Sequence, residues 1–145
     1  MNKIIIINGP NLNLLGNRED NIYGTETLHD IESKCHKKAK DLNLEVNFFQ
    51  SNNEGEIINK IHEVENIYDG LIINPAAFTH SSIAILDSLR AISKPKIEVH
   101  LSNIYSREEY RKKSITSESV DGLICGFGGN SYILGIEAIA KLIYN

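Results

Sequence analysis

Cysteine is scarce in this chain: two in 145 residues, Cys35 and Cys125, far apart and in no CxxC. That leaves no disulfide framework and no cysteine-based metal cluster; the pair reads as reduced core or near-core thiols of a cytoplasmic protein. Long apolar runs are missing too. Nothing approaches the roughly 18 residues of a membrane span. The run Ile4–Ile7 stops at Asn8-Gly9-Pro10, too soon for a secretory leader. Excess positive charge is absent, with a net charge of −4 and a pI near 5.7. That argues against a nucleic-acid binder. Arg111, Lys112 and Lys113 form the one cationic run noted, and by itself it reads as a solvated helix face. Repeats, linkers and low-complexity tracts are lacking, so residues 1–145 read as one domain, long enough to bury its own core.

What is present alternates. Ile4–Ile7 is a buried β-branched strand. Leu28, Ile31, Cys35, Ala39 and Leu42 recur at helical spacing, with Thr27 and Asp30 as a capping pair at the helix start. Leu44–Gln50 is a second strand, and Ile57, Ile58, Ile61 and Val64 mark a second helix. Gly70–Asn74 is a third strand ended by Pro75. Ser81 or Ser82 opens a helix carrying Ile85, Leu89 and Ile92, stopped at Lys94-Pro95. Lys96–His100 is the fourth strand. Ser106 with Glu109 predicts a capped helix over 106–113. Val120–Cys125 is the fifth strand, and the last helix carries Leu134, Ala138 and Leu142.

Five strands alternating with helices predict an α/β fold, a parallel sheet covered on both faces. Chain length and right-handed crossovers favour the flavodoxin-like doubly wound order 2-1-3-4-5. Ligands in such folds bind beyond the carboxyl ends of the strands. Here those ends carry Asn8, Gln50-Ser51-Asn52, Asn74 and Glu98-Val99-His100-Leu101-Ser102. Core stability does not require so many polar groups on one edge.

The stretch 8–24, NGPNLNLLGNREDNIYG, holds three Gly, one Pro and five Asn. A connection that long in a small domain is usually functional. It lacks GxGxxG and GxxxxGK[ST], so it is no phosphate loop. Leu12, Leu14 and Leu15 are its expected anchors, and Gly16 and Gly24 the expected hinges of a lid that excludes water. Arg18 and Tyr23 lie between those hinges. Spacing alone leaves a surface arginine and a packed tyrosine slightly the simpler reading. As a working pair they make chemical sense. A phenol is a poor base at pH 7, but a neighbouring guanidinium favours the phenolate. Bringing the phenol to neutrality takes about 4 kcal/mol.

INPAAFTHSS places Asn74, Thr79, His80 and Ser81 between a strand end and a helix start, a setting suited to a polar or anionic ligand. In IEVHLSN, Glu98 and His100 share one side of their strand, so the carboxylate can fix the imidazole and leave His100 as a candidate acid. A packed strand-end histidine is an equal reading. Leu101 and Ser102 follow with backbone N–H groups. His80, Asp87, Glu98 and His100 make a poor metal set, with no HxH or HxxxH spacing. His29, His36 and His62 fall on helix surfaces. Ser81 and Ser82 lack a GxSxG context.

Together NGPNLNLLGNREDNIYG, QSNNEGEIINKIHE, GLIINPAAFTHSSIAILDSL, PKIEVHLSNIYSREEYRKKS and GLICGFGGNSYILGIEAI resemble type II 3-dehydroquinate dehydratase over nearly the whole chain. The resemblance implies a flavodoxin-like lyase of the shikimate pathway and aromatic amino-acid biosynthesis. It implies reversible anti dehydration of 3-dehydroquinate to 3-dehydroshikimate through an enolate, without metal, cofactor or Schiff base. It implies a homo-oligomer, a dodecamer of four trimers. It casts Tyr23 as the base, Arg18 as the group that lowers its pKa, and Asn11 as holder, with an ordered water, of the enolate oxygen. His100 becomes the acid, oriented by Glu98. Asn74 with the N–H groups of Leu101 and Ser102 would bind the substrate carboxylate, His80 and Arg111 its hydroxyls, and Asp87 would come from a neighbouring subunit. Phe78, Leu86 and Gly135 depart from the commonest family residues. Leu86, beside Asp87, bears on that subunit contact. A flavin- or nucleotide-binding module on the same fold is the alternative reading, and a metal-dependent hydrolase a second one.

Overall fold

The computed structural model describes residues 1–17 and 25–145. Five parallel strands, β1 (Asn2–Asn8), β2 (Leu44–Gln50), β3 (Gly70–Asn74), β4 (Lys96–His100) and β5 (Gly122–Cys125), form one sheet in the order β2-β1-β3-β4-β5. That is the doubly wound order expected from the sequence. Four helices flank it: α1 (Leu28–Asp41), α2 (Glu54–Ile67), α3 (Ile83–Arg90) and α4 (Asn130–Tyr144).

The period-2 geometry of a strand divides the isoleucines of β1 between two cores. Ile4 and Ile6 pack with Ile31 and Cys35 of α1 and with Tyr132 and Ile136 of α4. Ile5 and Ile7 pack with Ile57 and Ile61 of α2 and with Ile85 and Leu89 of α3. Each fully buried aliphatic side chain contributes about 1.5–3 kcal/mol of transfer free energy. Thr27 and Asp30 form a reciprocal capping box at α1, with Asp30 N–H donating to Thr27 Oγ1 at 3.1 Å and Thr27 N–H to Asp30 Oδ2 at 3.0 Å. Ser82, not Ser81, caps α3 by accepting the Ile85 N–H.

Four expectations need correction. The helix over 106–113 is instead two short 3-10 turns, Ile104–Ser106 and Glu109–Arg111. Ser106 donates its hydroxyl back to the Asn103 carbonyl, Asn103 is the actual cap, and Arg107 is extended, which breaks the turn. The fifth strand starts at Gly122 rather than Val120, because a 3-10 turn over Thr116–Ser119 takes the Val120 N–H. The third concerns the buried face of α4. Tyr132, Gly135, Ile136, Ile139 and Ala140 face the sheet, while Leu134 and Ala138 are half-buried and Leu142 is 43% exposed. The run ILGIEAIAKLI is apolar on more than one face, so periodicity does not select a side. Close approach does: a Cβ added at Gly135 would lie 3.1 Å from Val99 Cγ1. Finally, the 3-10 turn Leu12–Leu14 stacks residues three apart, so Leu12 and Leu15 are buried and Leu14 points outward.

Candidate active site

The carboxyl ends of β1, β3 and β4 meet at one cleft. Gly9 makes this junction tight. Its N–H donates to the Asn74 carbonyl at 2.8 Å, and a Cβ there would fall 2.4 Å from the Pro75 carbonyl oxygen. Only a residue without a side chain lets β1 leave the sheet across Pro75. Beyond it Asn11 takes the left-handed conformation at φ 70° and donates its N–H to Asn52 Oδ1 at 2.9 Å.

One side of the cleft is held by a buried amide–phenol chain. Tyr132, wholly inaccessible, donates its hydroxyl to Asn8 Oδ1 at 2.6 Å and accepts from Asn74 Nδ2 at 2.9 Å. Asn74 Oδ1 accepts the Ala76 N–H at 3.0 Å, where Ala76 sits at φ 53°. The Asn74 carboxamide is thereby locked with one amide hydrogen spoken for and its face on the cleft. Burial pushes the Tyr132 phenol well above its ordinary value, so it acts as a neutral hydrogen-bonding group.

The floor is the pair Glu98–His100. His100 Nε2 lies 2.6 Å from Glu98 Oε2, and the two side chains are 7% and 0% exposed. Glu98 has further partners. Thr79 Oγ1 and Ser114 Oγ lie 2.8 and 2.7 Å from Oε2, and Thr116 Oγ1 lies 2.6 Å from Oε1. Burial works to raise this carboxyl's pKa, but the hydrogen bond and charge of His100, with the hydroxyls of Thr116 and Ser114, outweigh it and leave it below the ordinary 4.5. Glu98 is therefore ionised at neutral pH. It accepts the Nε2 proton of His100, which leaves Nδ1 as the ring nitrogen for the cleft. His80 is oriented differently: its Nδ1 lies 2.7 Å from the Lys113 carbonyl, which must accept, so its Nε2 is the nitrogen left for ligand.

The cleft holds about 120 Å³, well under the roughly 300–1,000 Å³ of pockets for drug-sized ligands. That suits a single small ring and not a flavin. Among the described residues two imidazoles, His80 and His100, and two guanidinium groups, Arg107 and Arg111, line it, and no carboxylate does. In a chain of net charge −4 this is a local reversal of sign that favours a small anion. Arg111 pairs with Glu108 at 2.9 Å and packs against the Tyr110 ring, while Arg107 Nη1 reaches Ser102 Oγ at 3.4 Å.

Of the residues selected from sequence, Asn11, Asn74, His80, His100, Leu101, Ser102 and Arg111 line this one cleft, and Glu98 stands directly behind His100. Asp87 does not; it lies exposed on α3. Arg18 and Tyr23, with Gly24, lie outside the described residues. The sequence reading missed Arg107, four residues before Arg111, and the hydroxyls of Ser114 and Thr116. SREEYRKKS, rich in charge just after a strand end, was the available signal for Arg107; no pattern marks the hydroxyls. Cys35, on the buried face of α1 with its thiol pushed up to about 12, is no nucleophile. Among the described residues no three His, Cys, Asp or Glu side chains group as metal ligands, and no helix is long and apolar enough to cross a membrane.

Comparison with known proteins identifies the family. The sequence model of the family described as dehydroquinase class II matches residues 2–140. A 3-dehydroquinate dehydratase of Clostridium botulinum is 58% identical over 139 residues, spanning 96% of this chain and 95% of the relative. One from Bartonella tribocorum is 53% identical over 142 residues, spanning 98% and 95%. The crystal structure of a type II dehydroquinase from Butyrivibrio crossotus superposes with a TM-score of 0.92 at 48% identity, covering 95% of this chain and 97% of that one. The chain belongs to the class II dehydroquinase family.

Proposed function

We propose that this chain is a cofactor-free, cytoplasmic hydro-lyase, a single catalytic domain that converts 3-dehydroquinate reversibly to 3-dehydroshikimate. The observation that carries the reading is the Glu98–His100 pair, 2.6 Å apart at the floor of a small cationic cleft with no carboxylate in its lining among the described residues. Such a cleft fits a carboxylated six-membered ring, and its floor fits an acid for a leaving hydroxyl.

The reaction needs a base, an enolate stabiliser and an acid. Tyr23, as a phenolate favoured by Arg18, removes the C2 proton. The electron pair moves to the C3 carbonyl oxygen, which Asn11 holds through a water. Collapse of the enolate expels the C1 hydroxyl on the opposite face, and His100 protonates it from Nδ1, so that it leaves as water. Glu98 stabilises the imidazolium beforehand. Asn74 and the N–H groups of Leu101 and Ser102 hold the substrate carboxylate, and His80 and Arg111 hold ring hydroxyls. Asp87, remote from its own cleft, serves that of a neighbouring subunit in a dodecamer of four trimers.

The test is direct. Protein mixed with 3-dehydroquinate raises the ultraviolet absorbance as the conjugated enone of the product forms. Folded protein that gives no rise, with substrate shown intact, sinks the proposal.

A further inference from the structure

We propose that the hydroxyls of Thr79, Ser114 and Thr116 are positioning groups for acid–base chemistry at His100: they hold the Glu98 carboxylate in one orientation and so commit His100 to the tautomer that turns Nδ1 to the cleft. The inference rests on the dehydratase reading for its kinetic consequence, but the tautomer is a property of the protein alone.

The observation is how the carboxylate is held: three groups bear on its Oε2 and one on its Oε1. An ionised carboxylate offers about four acceptor sites. Glu98 is surrounded by four donors: the His100 imidazole and three hydroxyls, of which Thr79 and Thr116 are fully buried and Ser114 nearly so. The directions are constrained. Ser114 Oγ already accepts the Ser117 N–H at 3.1 Å, so its own hydrogen is left to donate onward. Thr79 Oγ1 lies 2.6 Å from Ser114 Oγ and 2.8 Å from Thr116 Oγ1, so the three are one network rather than three separate contacts. Protonating Glu98 would turn one of its oxygens into a donor and force one of these neighbours to give up its bond to the carboxylate and accept instead. The cage therefore selects the carboxylate, and a carboxylate at 2.6 Å selects an N–H at Nε2 of His100.

A purely structural role would be met by any buried polar cluster. Here the segment that supplies two of the hydroxyls also orients the second imidazole. The Lys113 carbonyl accepts from His80 Nδ1, and the Ile115 N–H donates to the Thr79 carbonyl at 2.7 Å. Residues 113–117 thus place both cleft histidines, one through a carbonyl and the other through Glu98.

The experiment compares Thr116→Val, which keeps the shape, with Thr116→Ser, which keeps the hydroxyl. Ser114→Ala serves as an independent second site should Thr116→Val not fold. Two readouts are taken: kcat and KM against pH, and imidazole nitrogen spectra of uniformly ¹⁵N-labelled protein without substrate. At a pH where His100 is neutral, wild type and Thr116→Ser should show a single Nε2–H tautomer, the form left once Nδ1 has given up its proton. Thr116→Val and Ser114→Ala should show a mixed population. Their kcat should fall about ten- to hundredfold, the range set by losing one charge-assisted hydrogen bond, with KM nearly unchanged. The acid limb of kcat should move to higher pH, because Glu98 loses a donor that keeps it ionised. A folded Thr116→Val or Ser114→Ala with the wild-type imidazole spectrum and acid limb would overturn the proposal. Wild-type protein inert towards 3-dehydroquinate, with the tautomer change present in Thr116→Val and Ser114→Ala, would instead refute the dehydratase reading.

Discussion

The Tyr132 hydroxyl reaches Asn8 Oδ1 at 2.6 Å across 124 residues of sequence, tying the last helix to the end of the first strand directly beneath the cleft. The same hydroxyl accepts from Asn74.

Tyr132→Phe removes both bonds without altering the packing of the ring. Two buried amide groups lose their partner, a cost of about 1–3 kcal/mol for each unsatisfied group. Urea unfolding should show a loss of about that order. With Asn74 free to turn, KM for 3-dehydroquinate should rise more than kcat falls. An unchanged KM would mean that the phenol does not orient Asn74 for ligand.

Tyr23→Phe tests the proposed base. General acid–base groups typically contribute about a hundred- to ten-thousand-fold, and turnover should fall within that range while circular dichroism stays the same. Near-normal turnover in Tyr23→Phe would assign the proton abstraction elsewhere.

Glu98→Gln tests the charge behind His100. At neutral pH kcat should drop at least about tenfold, since a charge-assisted hydrogen bond becomes a neutral one. Stability carries a second signature. The folded pKa of Glu98 lies below 4.5, so the unfolded chain binds its proton first as pH falls. Its contribution is present above 4.5 and is lost as pH drops through the lower folded value. Exposed carboxylates such as Asp30, Glu65 and Glu137 share this direction in both proteins. The wild-type advantage over Glu98→Gln in urea unfolding should therefore shrink as pH falls below 4.5. A difference independent of pH would contradict an ionised Glu98.

Gly9→Ala tests the junction of β1 and β3. The new methyl would meet the Pro75 carbonyl at 2.4 Å, where backbone and not a flexible side chain must yield. Overpacking of this kind costs about 1–3 kcal/mol. Thermal unfolding should register it, and displacement of the neighbouring Asn74 should raise KM. Wild-type stability and KM together would show that the crossing relaxes freely.

The sheet was legible because its strands are short, β-branched and closed by Gly, Pro and Asn; Leu44–Gln50 and Gly70–Asn74 emerge with the bounds read from the sequence. Glu98 and His100 were legible because strand alternation alone sets two residues on one side. The strand-end rule gathered Asn74 to the same cleft, the helix start after β3 marked His80, and the family resemblance selected Asn11. What escaped depends on distance in sequence. Ser114 and Thr116 meet Glu98 from a stretch of 3-10 turns that has no period to follow. The buried face of α4 depends on how closely Gly135 lets the helix approach Val99, a tertiary contact that a helical wheel does not contain. Arg107 belongs to a charged segment whose neighbours are mostly exposed, so nothing local separates it from them.

The four isoleucines of β1 divide between two cores, yet they are chemically identical. Sliding the strand by one residue would exchange their faces and leave Ile4, Ile5 and Ile6 in places that isoleucines already fill. The strand's register is therefore set at its ends. At one end the Lys3 N–H is fixed to Asp69 Oδ2 at 2.8 Å, and a shift would drive its ammonium group inward. At the other end Asn8 is fixed to Tyr132. A polar residue at the edge of the cleft thus acts as the peg that keeps this interior strand from slipping, and the alignment of the sheet and the shape of the site rest on the same hydrogen bond.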